Sequence, residues 1–237
     1  IPLRLVGSEM CIRDSCRGGF LGRVGISKHG RGNSKLLAYN QKPQPQLQQN
    51  GQAVVRGRWQ NFQPKTLNDG SITFHGTFSS KATDPGSILL SETIPKLTGT
   101  VADFGSGCGY LSKKILSNHL ISKIDLIEAN HDAVTASKKN ICDKRANFFW
   151  DDVNTFKGGP YDTVITNPPF HLSRETDPNL GVNFIKKASS VLKPNGALWL
   201  VANRNLPYEE TMLNCFKEVQ TVVCQGRYKV LLGLKPF

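Results

Sequence analysis

Asn167-Pro168-Pro169-Phe170 closes an apolar run that begins at Tyr161. Proline fixes φ and has no amide hydrogen, so the backbone carbonyl of Pro168 is held with little freedom. Beside it stands a second acceptor, the side-chain oxygen of Asn167. Such a pair suits a planar amino group. The nitrogen lone pair of that group is conjugated and poorly available. Acceptors on both of its N–H bonds push the nitrogen toward tetrahedral geometry and aim the lone pair at an electrophile. Phe170 adds a flat face for stacking a planar substrate. No strong base is needed, because the proton can leave after a cationic product forms. The bland alternative is an Asn-Pro turn that ends a strand. It explains one proline and leaves the rest of the constellation unexplained.

A second chemical stretch is "VADFGSGCGYLS", residues 101–112, with Asp103, Gly105, Gly107 and Gly109 between a strand and a helix. Glycines there let the backbone turn sharply and approach a ligand. A dinucleotide fingerprint would carry its third glycine at the position of Tyr110. That mismatch, and the lack of a hydride-transfer constellation, count against a nicotinamide-dependent oxidoreductase. Glu128 lies 25 residues beyond Asp103, at the end of the next strand. A carboxylate at such a tip can accept both hydroxyls of a ribose. Asp151 and Asp152 end the following strand, either as ligand contacts or as a solvated turn.

The elements that must position these groups follow a regular alternation. Asp84 as N-cap and Pro85 at the first helical position predict a helix in "DPGSILLSETI". Strands are expected over 100–104, 123–129, 146–152, 161–167 and 196–203. Helices are expected over 109–120, 131–141 and 179–192, the last closed by the breaker "KPNG". Residues 218–237 read as a hairpin around Gln225-Gly226. Asp69-Gly70 marks a turn, with short strands or loop edges in 57–62 and 70–78. The pattern predicts an α/β fold: a mostly parallel sheet with helices on both faces and a C-terminal antiparallel hairpin.

A chain of 237 residues with 38% hydrophobic content can bury a real core. No apolar run reaches the length of a membrane span, so no membrane association is expected. Six scattered cysteines form no CxxC pair, which predicts reduced thiols, no metal and a cytoplasmic location. The net charge is +12 and unevenly spread. Residues 1–98 carry 13 Lys and Arg against 5 Asp and Glu, and residues 99–237 carry 17 against 13. That balance suits a polyanionic partner, since cationic side chains displace the counterions of phosphates. A merely basic surface would read the same way.

The spacing from Asp103 to Gly109 resembles motif I of the class I S-adenosylmethionine-dependent methyltransferases. The NPPF stretch resembles motif IV of the members that act on planar amino groups: adenine N6, guanine N2 and protein glutamine N5. "GTFSSKATDPGSILL" (76–90), "NPPFH" with His171, "VANRNLPY" (201–208) and "GRYKVL" (226–231) together resemble the C-terminal half of the ribosomal RNA small subunit methyltransferase C family, over residues 76–237. The resemblance implies a Rossmann-like class I sheet and S-adenosyl-L-methionine as cofactor. It implies that Asp103, Gly105, Gly107, Gly109, Glu128, Asp152 and Asn167 hold that cofactor, with Asp151 competing for the role of Asp152. It assigns catalysis to Asn167, Pro168 and Phe170 on a guanine N2 amino group. It implies ribosomal RNA or the small ribosomal subunit as partner, for a monomer. Phe78 and Asp84–Ser87 would lie over the cofactor. His171 would touch substrate or pack in its loop. Arg204, Arg227 and Lys229 would contact phosphate or stay solvated.

Three other readings stand beside this one. A release-factor glutamine methyltransferase usually carries Tyr where Phe170 stands. A DNA adenine enzyme normally needs a target-recognition insert, and none is visible between the motifs. An inactive RNA-binding module of the same fold would be expected to lose Asp103, Glu128 and Asn167, all of which are present. By the same resemblance, residues 16–75 are the remnant of an N-terminal domain plus the Gln/Pro-rich linker at 40–52, and 76–237 are the catalytic domain. Residues 1–15, "IPLRLVGSEMCIRDS", resemble a translated sequencing adaptor and are expected to be non-native.

Overall fold

Along the central strands, apolar side chains alternate between two opposite packing layers. Val101, Ile165, Trp199 and Val230 belong to one layer; Ala102, Val164, Leu198 and Leu231 belong to the other. A sheet that is apolar on both faces must be covered on both. The computed structural model describes residues 63–169, 171–172, 175–176 and 178–237. The adaptor-like segment, the linker and the expected strand at 57–62 lie outside the described residues, as does Phe170.

The described strands are β1 (Lys65–Thr66), β2 (Ile72–Thr73), β3 (Gly99–Phe104), β4 (Ile121–Glu128), β5 (Ala146–Trp150) and β6 (Tyr161–Thr166). There follow β7 (His171–Leu172), β8 (Glu175–Thr176), β9 (Leu192–Asn203), β10 (Phe216–Gln225) and β11 (Tyr228–Pro236). Seven of them form one sheet in the order β10-β11-β9-β6-β3-β4-β5. The five strands from β9 to β5 are mutually parallel, and β11 and β10 close the other edge as the antiparallel hairpin. β1 and β2 make a separate small hairpin over the Asp69-Gly70 turn, where Gly70 has φ +78°.

The helices are α1 (Pro85–Thr93), α2 (Tyr110–Ile115), α3 (His131–Asn140), α4 (Pro178–Val191) and α5 (Tyr208–Leu213). Leu89 and Leu90 of α1, with Leu111 and Ile115 of α2, pack in the first layer. Phe184, Ile185 and Ala188 of α4, with Tyr208 and Met212 of α5, pack in the second. Asp84 caps α1 as expected, its Oδ2 accepting the Ser87 amide at 2.8 Å. Asn130 caps α3 in the same way, through the amides of Asp132 and Ala133.

Four local expectations need correction. α2 stops at Ile115 instead of 120, because Asn118 turns the chain. Its amide donates to the Leu97 carbonyl and its oxygen accepts the Leu120 amide, so β4 starts at once. The helix does close at "KPNG", ending at Val191, but the next strand starts at Leu192 instead of 196. Tyr161 pairs with Leu192 and Thr163 with Ala197, so the intervening residues bulge within the start of β9. The short α5 was not anticipated; Glu209 and Glu210 in its first turn favour the positive helix end. Lys229 is the fourth. Only 5% exposed, it is not a phosphate contact. Its ammonium donates to the Leu206 carbonyl at 2.7 Å and to Glu209 at 2.6 and 2.8 Å, tying β11 to the start of α5.

A buried ammonium is tolerated only while paired. Glu209, itself 42% exposed, opens a path for water when removed, so Glu209→Ala should destabilise the protein by about 1–2 kcal/mol in urea titrations. Adding Lys229→Met should restore at least half of that loss. If both changes are individually silent, Lys229 is solvated and the ion pair contributes nothing.

Candidate active site

The parallel register builds the site. Phe104 of β3 pairs with Ile127 of β4 and with Thr166 of β6, and this is the last paired row of the three strands. The Thr166 hydroxyl fastens the row by donating to the Phe104 carbonyl at 2.8 Å. One residue further along each strand come Gly105, Glu128 and Asn167. Three segments far apart in sequence thus deliver their polar groups to one edge, the carboxyl end of the sheet, where open α/β folds bind ligands.

The loop from Gly105 to Gly109 runs through left-handed backbone at each glycine, with φ of +68°, +55° and +84° at Gly105, Gly107 and Gly109. A side chain at Gly107 would meet nothing within 4 Å, so open space lies before the loop. Glu128 fixes the loop from behind: one oxygen accepts the Gly107 amide and the other the Asn130 amide, each at 2.8 Å. Each carboxylate oxygen keeps a second acceptor direction. Asn140 adds a brace, donating to the carbonyls of Cys108 and Ile72 at 2.9 and 2.8 Å. That link joins the β1–β2 hairpin to the loop.

Asp103 is completely buried beneath the loop. Its Oδ2 accepts the Ser112 hydroxyl at 2.6 Å, while Oδ1 has no hydrogen-bond partner. Burial pushes this carboxyl up to about 7, against the pull of the Ser112 hydroxyl and amide; the charge of Glu128 adds to the rise. A carboxylate with an unpaired buried oxygen favours a cationic ligand nearby.

Asn167 donates its amide to Asp84 Oδ2 at 2.9 Å and to Ser87 Oγ at 2.8 Å. Its nitrogen is thereby engaged and its oxygen is the group left for another molecule. Pro168 is buried and Pro169 exposed. Phe78, Asp84, Ser87 and Asn167 line one pocket together with Gly105, Ser106 and Gly107. The Asp84–Ser87 segment and Asn167, separated by some eighty residues, are brought together there.

Other expected residues lie apart from that pocket. Asp152 turns into its own loop, Oδ1 accepting the backbone and side-chain amides of Asn154 at 2.9 Å. Asp151 accepts the Asp152 amide. His171 begins β7, which pairs with β8. Arg204 and Arg227 are exposed at the same end of the sheet, joined by the Arg204 amide to the Arg227 carbonyl. Among the described residues no cluster of three or more His, Cys, Asp or Glu side chains could hold a metal, and no helix is long and apolar enough to cross a membrane. Sequence reading did not find the contacts of Asn167. Asp84 was legible as a helix cap, but nothing local marks its second partner.

The strand order, with a glycine loop after the first strand of the sheet and Asn-Pro-Pro after the fourth, defines a class I methyltransferase fold. The chain belongs to the methyltransferase small domain family, which matches residues 71–232. A ribosomal RNA small subunit methyltransferase C from Shewanella piezotolerans is 35% identical over 167 residues, covering 68% of this chain and 47% of the relative. A second, from Psychromonas ingrahamii, is 30% identical over 236 residues, covering 96% of this chain and 66% of the relative. The chain thus spans about half the length of the Shewanella relative. The solved 16S rRNA N2 G1207 methyltransferase of T. thermophilus, in complex with AdoMet and guanosine, superposes with a TM-score of 0.61 and 26% identity. That match covers 73% of this chain and 50% of the other.

Asp103 generates a pH test. Its carboxyl is protonated in folded and unfolded chains below the ordinary value of 3.8. Between there and about 7 the unfolded chain releases the proton and the folded chain keeps it. Stability falls as pH rises through that window, by at most about tenfold in the folding constant per pH unit, and is flat above it. Asp103→Asn removes the titrating group. Urea titrations should show the variant gaining on the parent up to about pH 7 and no further. A pH-independent difference would remove the raised value from Asp103.

Proposed function

We propose that this chain transfers a methyl group from S-adenosyl-L-methionine to the exocyclic N2 amino group of a guanine in small-subunit ribosomal RNA. The observation that supports the reading is the fixed amide of Asn167: both donations of its nitrogen go to Asp84 and Ser87, so its oxygen is left to accept from another molecule. The similarity to the T. thermophilus enzyme and to the two relatives supports guanine over the other planar amino groups.

The chain's own groups divide the work. Glycines 105, 107 and 109 and the carboxylates of Asp103 and Glu128 are the residues that would hold the cofactor. Asp152 is assigned to its adenine, reached by turning out of its loop. When bound, the cofactor supplies an electrophilic methyl group on a sulfonium sulfur. Asn167 accepts one substrate N–H, and the Pro168 carbonyl accepts the other. The amino lone pair is then directed toward the methyl group, and the proton leaves the cationic product without a strong base. Phe170 is assigned to stacking on the base. Exposed Arg204 and Arg227 stand at the correct end of the sheet for phosphate. The reaction as proposed needs no metal, and one chain provides every group, so the protein is proposed to act as a monomer in the cytoplasm, away from membranes.

The test uses labelled cofactor with naked ribosomal RNA, assembled small subunits and a release factor in parallel, followed by nucleoside and peptide analysis. Label in N2-methylguanosine is expected. Label in N6-methyladenosine or in glutamine would overturn the assignment. Asn167→Ala should lower kcat by about 10²–10³-fold and leave cofactor affinity within about twofold in calorimetric titration. Glu128→Ala should show the reverse emphasis, with cofactor affinity weakened about tenfold. Parent-like turnover in the first variant, or parent-like titration curves in the second, would take that residue out of its role.

A further inference from the structure

The side chain of Asn167 has two orientations that fill nearly the same space, and only one serves the proposed reaction. Rotated by half a turn, it would present –NH2 to a substrate amino group, donor against donor. We infer that Asp84 and Ser87, at the N-terminus of α1, are positioning residues that hold Asn167 with its oxygen toward the acceptor. The inference rests on the proposed role of Asn167 in accepting a substrate N–H.

An ionised carboxylate only accepts hydrogen bonds. Asp84 Oδ2 takes the Asn167 amide at 2.9 Å and the Ser87 backbone amide at 2.8 Å. The flipped Asn167 would set its own oxygen against that carboxylate. Ser87 Oγ, on a residue only 6% exposed, accepts from the same amide nitrogen at 2.8 Å, so both N–H bonds are used. Beside the cap, the Tyr228 ring packs close to Gly86. The close packing depends on Gly86. A side-chain carbon there would lie 2.9 Å from Asp84 Oδ2 and 2.9 Å from the Tyr228 ring. A helix cap and a strand-end asparagine thus form one connected unit, and the cap's charge selects the amide orientation.

Asp84→Ser separates capping from orientation. Serine still caps α1, but its hydroxyl is too short to reach Asn167. The expected result is a kcat lowered about 10–100-fold, with KM for RNA and cofactor affinity within about twofold. In an Asn167→Ala background the same change should lower kcat no further, because Asp84 acts through Asn167. Ser87→Ala should show the same non-additivity with a smaller loss, about fivefold, and serves if Asp84→Ser does not fold. Multiplicative losses, or cofactor affinity falling in step with kcat, would overturn the inference.

A readout independent of turnover separates it from the proposed function. In nitrogen-15 NMR spectra of the cofactor-free protein, the side-chain NH2 signals that vanish in Asn167→Ala should be shifted and slow to exchange. In Asp84→Ser they should move to free-amide positions. Free-amide signals in the parent would refute the clamp. A clamp signature without any N2-methylguanosine product would instead sink the reaction assignment alone.

Discussion

Everything at the functional edge depends on the parallel register of β3, β4 and β6. Because Phe104, Ile127 and Thr166 share a row, the next residue on each strand emerges at the same level. A slip of one residue would turn Glu128 and Asn167 toward opposite faces of the sheet. The register is itself set by the two-layer core. Val101 and Ile165 enter one layer, Ala102 and Val164 the other, and a one-residue slip would send each set to the wrong layer. Hydrophobic burial, which has no direction of its own, thereby fixes polar groups that need direction. The Thr166 hydroxyl on the Phe104 carbonyl reinforces the row where pairing ends and fraying would begin.

The polar groups at that edge are of two kinds. Each Glu128 oxygen already accepts one backbone amide, so it shapes the loop even before any ligand arrives. Asp103 is the opposite case: buried, half-satisfied and held near neutrality in its titration. An apolar residue in its place would be easier to fold around. A buried carboxylate with an idle oxygen is unfavourable alone and favourable beside a cation, which is how a site can hold binding energy in reserve for a charged ligand. Asn167 belongs to the first kind, because Asp84 and Ser87 satisfy its nitrogen in advance and no reorientation is required on binding.

Much of the architecture was legible because its causes are local. Asp84-Pro85 starts α1, the glycine spacing makes the loop, and alternating runs make β10 and β11. The failures came where a distant partner decides. α2 ends early because Asn118 finds the Leu97 carbonyl across the layer, and "KPNG" joins β9 because β6 offers it a neighbour. Lys229 sits in an alternating strand and reads as a surface charge, yet Glu209 and the Leu206 carbonyl draw it inward. In the site, the residue types at 103, 105, 107, 109, 128 and 167 announced themselves by spacing. The donation from Asn167 to Asp84 spans 83 positions and leaves no periodic trace. Asp152 shows the limit from the other direction: its type and place read as a ligand contact, while its carboxylate turns toward Asn154.

Chemistry and attraction make different demands on a chain, and the charge distribution reflects it. The groups that the proposed reaction needs lie between Asp84 and Phe170 and must be held to fractions of an ångström. The larger part of the positive excess lies in residues 1–98, at net +8 against +4 for the rest. Coulombic attraction to a polyphosphate acts over about 10 Å at moderate salt and requires no register. Orientation of a single amino group, by contrast, cannot be delegated to diffuse charge. In the proposed reaction it rests on one amide, that of Asn167, which donates to the carboxylate of Asp84.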